Sequence, residues 1–508
     1  MLEAISLENF KSFKNLEELT LRPITILCGT NSCGKSSILQ SILLLKQTIE
    51  SQNPNQTLLL NGRLVRLGSF ESIIFERNVD NKLIFDLTFK LPKEAQRIPL
   101  RANAVPLIVL IRDLYPEIQN ALDQDIGISL RISLKAPKLS SKRNKVYLKA
   151  ITVEQFKFTI EVLDTHGQVS SSAFIDVKLS DNGLYTIIWD NIRSRIGRKE
   201  RSSQGELTSV HVRFASLFSI GFVSARGDAE KNVDLSDLSF ALYRVSNIFQ
   251  TIFSSYSYIG PLREEPSRRY IYEDEITEIG VKGENAAYIY LTDQDRTVAN
   301  HYFYDRESDS FRGIKKTTLA AAVQEWLDLM NIKGFKSEVV NEVVYLNLSS
   351  GSAPATRVSI ADVGFGVSQI FPIILEGLRM PRRNTLLLEQ PEIHLHPNLQ
   401  MQLSDYFITL ALSDKRVMVE THSDHIINRL VRRIVEDKTG MLQKLIGIYF
   451  VSSSDKGSIY EEVCIDETLG VTNWPVGFFD QAASEQEKIM RAGLKKRQSS
   501  RGRNHRID

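Results

Sequence analysis

The chain has 508 residues, 42% of them hydrophobic and 24% charged, which is the balance of a globular protein with material for about two to four domains. This composition excludes a disordered or collagen-like chain, and three cysteines are too few for a disulfide framework or a four-cysteine zinc site. The net charge is +2, but residues 488–508 hold eight Lys or Arg against one Asp, so the remainder is mildly acidic. Neither a signal-peptide pattern nor a run of roughly 18 apolar residues is present, so we expect a cytoplasmic protein without membrane contact.

The first 80 residues predict a strand pair followed by a strand, a loop and a helix. Alternating apolar residues over 2–7 and 13–21 predict the paired strands. The apolar run 24–28 predicts a buried strand, and helical spacing over 38–49 predicts a helix.

The loop between that strand and helix fits the phosphate-loop pattern G-x-x-x-x-G-K-[ST]. It consists of Gly29, Thr30, Asn31, Ser32, Cys33, Gly34, Lys35 and Ser36, and Ser37 follows. Backbone N–H groups of such a loop surround a phosphate, Lys35 would meet the β- and γ-phosphates, and the Ser36 hydroxyl can ligate Mg²⁺. The alternative is an ordinary glycine-rich turn. Cys33 is either a tolerated loop residue or a redox-sensitive thiol.

The middle of the chain, residues 81–330, predicts a β-rich and helical region inserted between two other parts. Short alternating segments from 82 to about 188 predict antiparallel sheet, and the basic span 193–205 predicts an exposed loop. A helix over about 235–254 leads into the block Tyr258–Tyr270. The adjacent acids Glu273, Asp274 and Glu275 are typical of a solvated surface.

A second acidic strand follows in residues 331–455. The run 385–388 predicts a buried strand ending at Glu389, where a carboxylate beside a phosphate loop can hold Mg²⁺. Residues 362–369 open a helical run before it, and a third strand at 417–419 leads into Glu420, Thr421 and His422.

In this order the motifs resemble the ABC-class ATPases, in the soluble branch that includes SMC, RecF and OLD-like ATPases. The resemblance covers about residues 1–80 and 340–455 and implies an α/β ABC-type head, a mixed sheet with a phosphate loop, built from both chain ends. It makes Gly29–Ser36 the Walker A motif and Leu386–Glu389 the Walker B motif. It also places the signature motif at 363–369, so that Gly364, Gly366 and Gln369 contact ATP across a dimer, and makes His422 the switch histidine.

The sequence departs from the family pattern in two motifs: Walker B ends Glu389-Gln390 instead of Asp-Glu, and the signature lacks the usual Leu-Ser start. Gln390 stands where the family has its general base, and a neutral amide can position water but cannot take its proton, so hydrolysis should be slow. Glu392 is either a substitute base or a structural residue of the turn. His422 could also be a core histidine, and His394, His396, His422 and His425 together could form a metal site.

The resemblance implies a homodimer that closes around ATP and Mg²⁺ and, as in OLD-like systems, controls a nuclease or toxin partner in antiviral defence. The alternatives are a RecF-like repair ATPase that clamps DNA, and a non-hydrolysing scaffold. Residues 193–201 and the tail 488–508, expected to be disordered, could contact nucleic acid or be simply solvated. We expect no Toprim nuclease domain, because the 86 residues after His422 contain no Asp-x-Asp pair. The blocks Tyr258–Tyr270 and Thr472–Gln481, the second in a C-terminal extension at 456–487, resemble a subfamily of OLD-like bacterial ATPases. They are also candidate docking surfaces.

Overall fold

The computed structural model describes residues 1–51, 56–96, 100, 105–115, 118, 124–136, 151–196, 199–224, 235–271, 277–340, 343–349, 357–362, 366–466, 468–473, 485–494 and 496. Its strands are β1 (Leu2–Phe10), β2 (Phe13–Thr20), β3 (Ile24–Gly29), β4 (Leu83–Leu91), β5 (Asp125–Lys135), β6 (Thr152–Leu163), β7 (Val169–Leu179), β8 (Tyr185–Ile196), β9 (Lys199–Ala215), β10 (Phe218–Ser224), β11 (Tyr256–Ile259), β12 (Tyr270–Ile271), β13 (Thr297–Asp305), β14 (Ser310–Thr318), β15 (Lys336–Val340), β16 (Val343–Ser349), β17 (Arg357–Ser359), β18 (Thr385–Glu389), β19 (Arg416–Glu420), β20 (Ile446–Ser454), β21 (Gly457–Glu462), β22 (Ile465–Asp466) and β23 (Gly470–Val471).

The helices alternate with these strands mainly in the second half of the chain. They are α1 (Lys35–Ile49), α2 (Phe70–Ile73), α3 (Leu107–Leu114), α4 (Leu235–Phe253), α5 (Ala286–Asp293), α6 (Leu319–Leu329), α7 (Gly366–Arg379), α8 (Pro397–Leu412), α9 (Asp424–Glu436) and α10 (Met441–Leu445). Short 3₁₀ helices lie at Phe75–Arg77, Lys93–Ala95 and Ile360–Asp362. None of the helices within the described ranges is long and apolar enough to cross a membrane.

The larger sheet is antiparallel and has the order β10-β9-β8-β7-β6-β5-β4-β1-β2 among the described residues. The antiparallel sheet predicted from residue 82 onward is confirmed, and it extends to residue 224. The exposed loop predicted over 193–205 is wrong, because β8 and β9 pair there, with Arg193 opposite Ser202. Residues 193–196 pair with residues 199–202 despite their basic composition, which shows how context outweighs local composition in a strand.

The smaller sheet has the order β11-β18-β19-β3-β20-β21, and its members are parallel except for β21. Both faces of this sheet are covered. Leu27 joins the core shared with α1, α4 and the larger sheet, while Ile26 and Cys28 join the core shared with α6, α7 and α8. A parallel sheet buried on both faces needs apolar residues at successive positions, which is why its strands read as continuous apolar runs.

The two sheets together form the mixed α/β head that the sequence predicts. Both sheets cross the predicted domain boundaries. β4 pairs with β1, so the sheet begun before residue 80 continues into the predicted insertion, and β11 returns from that insertion to pair with β18. The division at residues 80 and 330 stays a prediction.

The beginning of the basic tail differs from the disorder predicted for it. Residues 485–494 form an exposed helix, in which Lys488 pairs with Glu485 and Arg491 pairs with Glu487. Ion pairs at this spacing support a helix. Residues 497–508, the acidic run Glu273–Glu275 and most of the block Thr472–Gln481 lie outside the described residues.

Candidate nucleotide site

The candidate site lies at one edge of the smaller sheet. Because β3, β18 and β19 are parallel, their carboxyl ends meet at the same edge, and ligands of open α/β sheets bind there. The three strands end at Gly29, Glu389 and Glu420. The predicted phosphate loop and the predicted acidic strand are therefore brought together.

Two glycines give the phosphate loop its shape. Gly29 has a φ of 138°, and a Cβ there would lie 2.0 Å from the Val451 carbonyl oxygen. Gly34, the N-cap of α1, has a φ of 101°, and its Cβ would lie 2.4 Å from Ser12 Oγ. Both positions exclude a side chain, so the backbone can curve tightly into the helix N-terminus, where N–H groups bind anions.

Lys35 lies inside this loop. Its ammonium group donates hydrogen bonds to the carbonyl oxygens of Thr30 at 2.6 Å and Gly29 at 3.1 Å, and the residue is buried. Thr30, Asn31 and Ser32 form the exposed rim, whereas Ser37 is buried at the start of the helix. Cys33 is also fully buried, which supports a packing role for it over redox sensing.

Ser36 contacts a carboxylate to which the sequence analysis assigned no role. Its hydroxyl donates a 2.8 Å hydrogen bond to Oε1 of Glu420, at the end of β19. The other oxygen of that carboxylate, Oε2, is buried and has no hydrogen-bond partner among the described residues. Burial raises the pKa of Glu420. Its position at the end of a buried strand, like that of Glu389, was the signal available in the sequence.

Glu389, at the end of β18, is bonded by a residue of β11, the strand on the side of β18 away from β19. It stands opposite Glu420 in the parallel register, and the Tyr258 hydroxyl donates a 2.9 Å hydrogen bond to its Oε1. Burial, with a further contribution from the charge of Glu420, raises the pKa of Glu389 to about 7. From the sequence, Tyr258 belongs to the block Tyr258–Tyr270, and its spacing predicts no chemical role for it.

These groups fit a magnesium ion. Carboxylates and a hydroxyl are the hard oxygen ligands that Mg²⁺ takes alongside phosphates and water, and the unpartnered Glu420 oxygen is available for such a contact. By contrast, no group of three or more His, Cys, Asp or Glu side chains within the described ranges is arranged to hold a metal. The alternative metal site of His394, His396, His422 and His425 is therefore wrong.

Arg263 braces the turn that follows β18. Its buried guanidinium donates to the carbonyl oxygens of Glu389 at 3.1 Å, Gln390 at 3.2 Å and Pro391 at 3.5 Å. Gln390 has a φ of 44°, so the turn is in the left-handed region. Burial lowers the pKa of Arg263 to about 10, which leaves it charged at neutral pH. No local spacing indicates this role, because the contacts join segments more than a hundred residues apart.

Glu392 links the turn after β18 to the loop after β19. Its Oε1 accepts a 2.7 Å hydrogen bond from the backbone N–H of His422, which supports the structural alternative for this residue. Burial raises the pKa of Glu392. His422 is half-buried, and burial together with the charge of Lys35 lowers its pKa, so the imidazole is neutral at neutral pH.

The predicted signature segment begins α7 close to the same turn. A Cβ at Gly366 would lie 3.5 Å from the His394 carbonyl oxygen, an ordinary contact, and Gln369 is buried one turn further on. Gly364 lies outside the described residues. His394 is exposed, and His396 caps α8 by accepting a hydrogen bond from Asn398.

A phosphate loop at the carboxyl edge of a parallel sheet, with a strand ending at Glu420 between it and the acidic strand, is the arrangement of a P-loop nucleotide-binding domain. The chain belongs to the family described as the AAA ATPase domain, whose model matches residues 1–427. Residues 443–489 match a second family, described as a protein of unknown function (DUF3696). No curated protein matches the chain. The protein is therefore an ATPase, and its family implies ATP as the nucleotide.

Among the solved structures that are similar to this chain are SMC head domains. The SMC head domain from Thermotoga maritima is 9% identical with a TM-score of 0.33, over 91% of this chain and 99% of that one. An Smc head bound to the C-terminal domain of ScpA, derived from Pyrococcus furiosus, is 10% identical with a TM-score of 0.37, over 96% of this chain and 99% of that one.

Proposed function

We propose that the protein binds Mg·ATP at the phosphate loop and hydrolyses it slowly. The observation that carries this proposal is the position of Lys35 and Ser36 at the start of α1, beside the carboxylates Glu389 and Glu420. Lys35 would exchange its loop carbonyls for the β- and γ-phosphates, and the backbone N–H groups of the loop would hold the same oxygens. Magnesium, held by Ser36 and through water by Glu389, would neutralise charge on the phosphates.

Slow hydrolysis follows from the side chains that can reach an attacking water. Gln390 can orient water but cannot accept its proton, and His422 is neutral and can accept a hydrogen bond. Glu392 is the remaining candidate base on the turn. Its Oε1 is engaged by the His422 N–H, whereas its Oε2 is buried without a hydrogen-bond partner among the described residues. Position 390 therefore carries no base, and we expect hydrolysis to depend on Glu392, displaced by two residues from the family position, and to be slow for that reason.

We further propose that two heads close around ATP, with the start of α7 facing the partner's nucleotide. Gly366→Arg should abolish ATP-dependent dimers, because a long charged side chain would fill the space that the phosphates need. Gly366→Ala is the matched control, since its Cβ meets only ordinary contacts and should leave dimerisation intact. Analytical ultracentrifugation with and without ATP measures the result. ATP-dependent dimers of normal stability in Gly366→Arg would show that this segment is not the signature.

The biological proposal is that closure switches a nuclease or toxin partner in antiviral defence. The resemblance of the blocks Tyr258–Tyr270 and Thr472–Gln481 to OLD-like ATPases supports this proposal. Closure of two heads around ATP would also change the surface that a partner protein contacts, which is how such a conformational switch can control a partner. Purified protein with ATP and Mg²⁺ should then leave DNA and RNA intact. Cleavage by repurified Lys35→Ala protein would show that this chain has a nuclease site of its own and would contradict the proposal of a separate effector. ATP-dependent DNA binding that weakens with salt would instead support the RecF-like alternative.

A further inference from the structure

We propose that Glu420 supplies an additional acidic ligand to the magnesium site, opposite Ser36, either directly or through a water bound to the ion. The proposal rests on the binding of Mg·ATP proposed above. It assigns a metal-binding role to a residue outside the Walker B motif.

The first observation is the contact between Glu420 and Ser36. The hydroxyl of this serine is the side-chain ligand that a phosphate loop offers to Mg²⁺. Its hydrogen bond to Glu420 Oε1 is 2.8 Å long and joins residues 384 positions apart. A carboxylate at hydrogen-bond distance from the magnesium ligand lies within reach of the ion itself or of a water bound to it.

The second observation is the other oxygen of the same carboxylate. Oε2 is buried without a hydrogen-bond partner among the described residues, and a buried polar atom left unpaired is costly. Lys35, a cation whose charge acts on Glu420, donates its hydrogen bonds to loop carbonyls instead. A divalent cation arriving with ATP would satisfy this oxygen and the oxygen beside Ser36 together.

Glu389 is the second carboxylate at this edge of the sheet and lies one strand further from β3 than Glu420. Tyr258 donates to its carboxylate, and its position one strand further from β3 separates it from Ser36. The acidic pair of this site therefore comes from neighbouring strands, Glu389 on β18 and Glu420 on β19, in the same register. The charge of the buried Glu392 already acts on Glu420, so a further carboxylate at position 390 would add repulsion, which gives a physical reason for the neutral Gln390.

The test measures metal dependence separately from turnover. ATP binding to the full-length protein is titrated with Mg²⁺ using a fluorescent ATP analogue, and Mn²⁺ binding in the presence of ATP is followed by electron paramagnetic resonance. Glu420→Gln should raise the metal concentration for half-saturation at least about 10-fold. Binding of the analogue in EDTA should stay unchanged. Glu436→Gln, at the end of α9 and away from this edge, is the control with unchanged metal dependence.

Glu420→Asp keeps the charge but shortens the side chain, and it should give an intermediate rise in the metal requirement. Thermal unfolding of each variant reports folding, and the aspartate variant carries the test if the glutamine variant does not fold. Wild-type metal dependence in a folded Glu420→Gln or Glu420→Asp protein would overturn the assignment. If Lys35→Ala also bound ATP like wild type, the proposed function itself would fail, so the two failures are distinguishable.

Discussion

Lys35→Ala should weaken the binding of Mg·ATP about 100-fold, or about 3 kcal/mol. The Lys35 ammonium is already enclosed by the loop that would hold the phosphates, so its removal takes away a charge-assisted contact that no other described side chain of the loop can replace. Isothermal titration with Mg·ATP measures the change.

Lys14→Ala provides the matched control, because Lys14 is an exposed lysine on β2 and its loss should leave the affinity unchanged. If Lys35→Ala bound Mg·ATP with an affinity within twofold of wild type, the loop Gly29–Ser36 would not be the phosphate-binding site. Thermal unfolding without nucleotide shows whether the variant keeps its fold.

Arg263→Ala should destabilise the protein by about 3 kcal/mol and stop turnover. Its buried guanidinium bonds three successive carbonyl groups of the turn after β18, and truncation would leave those oxygens unpaired away from water. Without the brace, Glu389 and Gln390 would lose the backbone positions that face the phosphate loop. Urea unfolding and phosphate release measure the two effects.

Arg268→Ala is the control for Arg263, since both arginines belong to the same block. Arg268 forms an exposed ion pair with Asp362, and such pairs contribute less than about 1 kcal/mol. Equal stability losses in the two variants would show that the hydrogen bonds of Arg263 to the turn after β18 are not the source of the effect.

The features that depend on residues close together in the sequence could be predicted. The phosphate loop requires only glycines, one lysine and one serine in eight consecutive positions, with a strand before and a helix after. The ends of β18 and β19 were predicted because strands buried on both faces are apolar at every position, so the first charged residue marks the edge.

Contacts between distant segments could not be predicted in this way. The partner of Ser36 is the last residue of β19 rather than Glu389, because β19 lies between β3 and β18 in the sheet, and strand order is a tertiary property. The contacts of Tyr258 with Glu389 and of Arg263 with the turn likewise depend on β11 returning beside β18. The hairpin over 193–205 was missed because its basic composition concealed its strand pairing.

The most direct test of the central claim is the release of inorganic phosphate from ATP by the full-length protein. We expect slow release that requires both ATP and Mg²⁺ and is absent from Lys35→Ala prepared in parallel. Release that continues in Lys35→Ala at the wild-type rate, or a wild-type protein that neither binds nor hydrolyses ATP, would contradict the account.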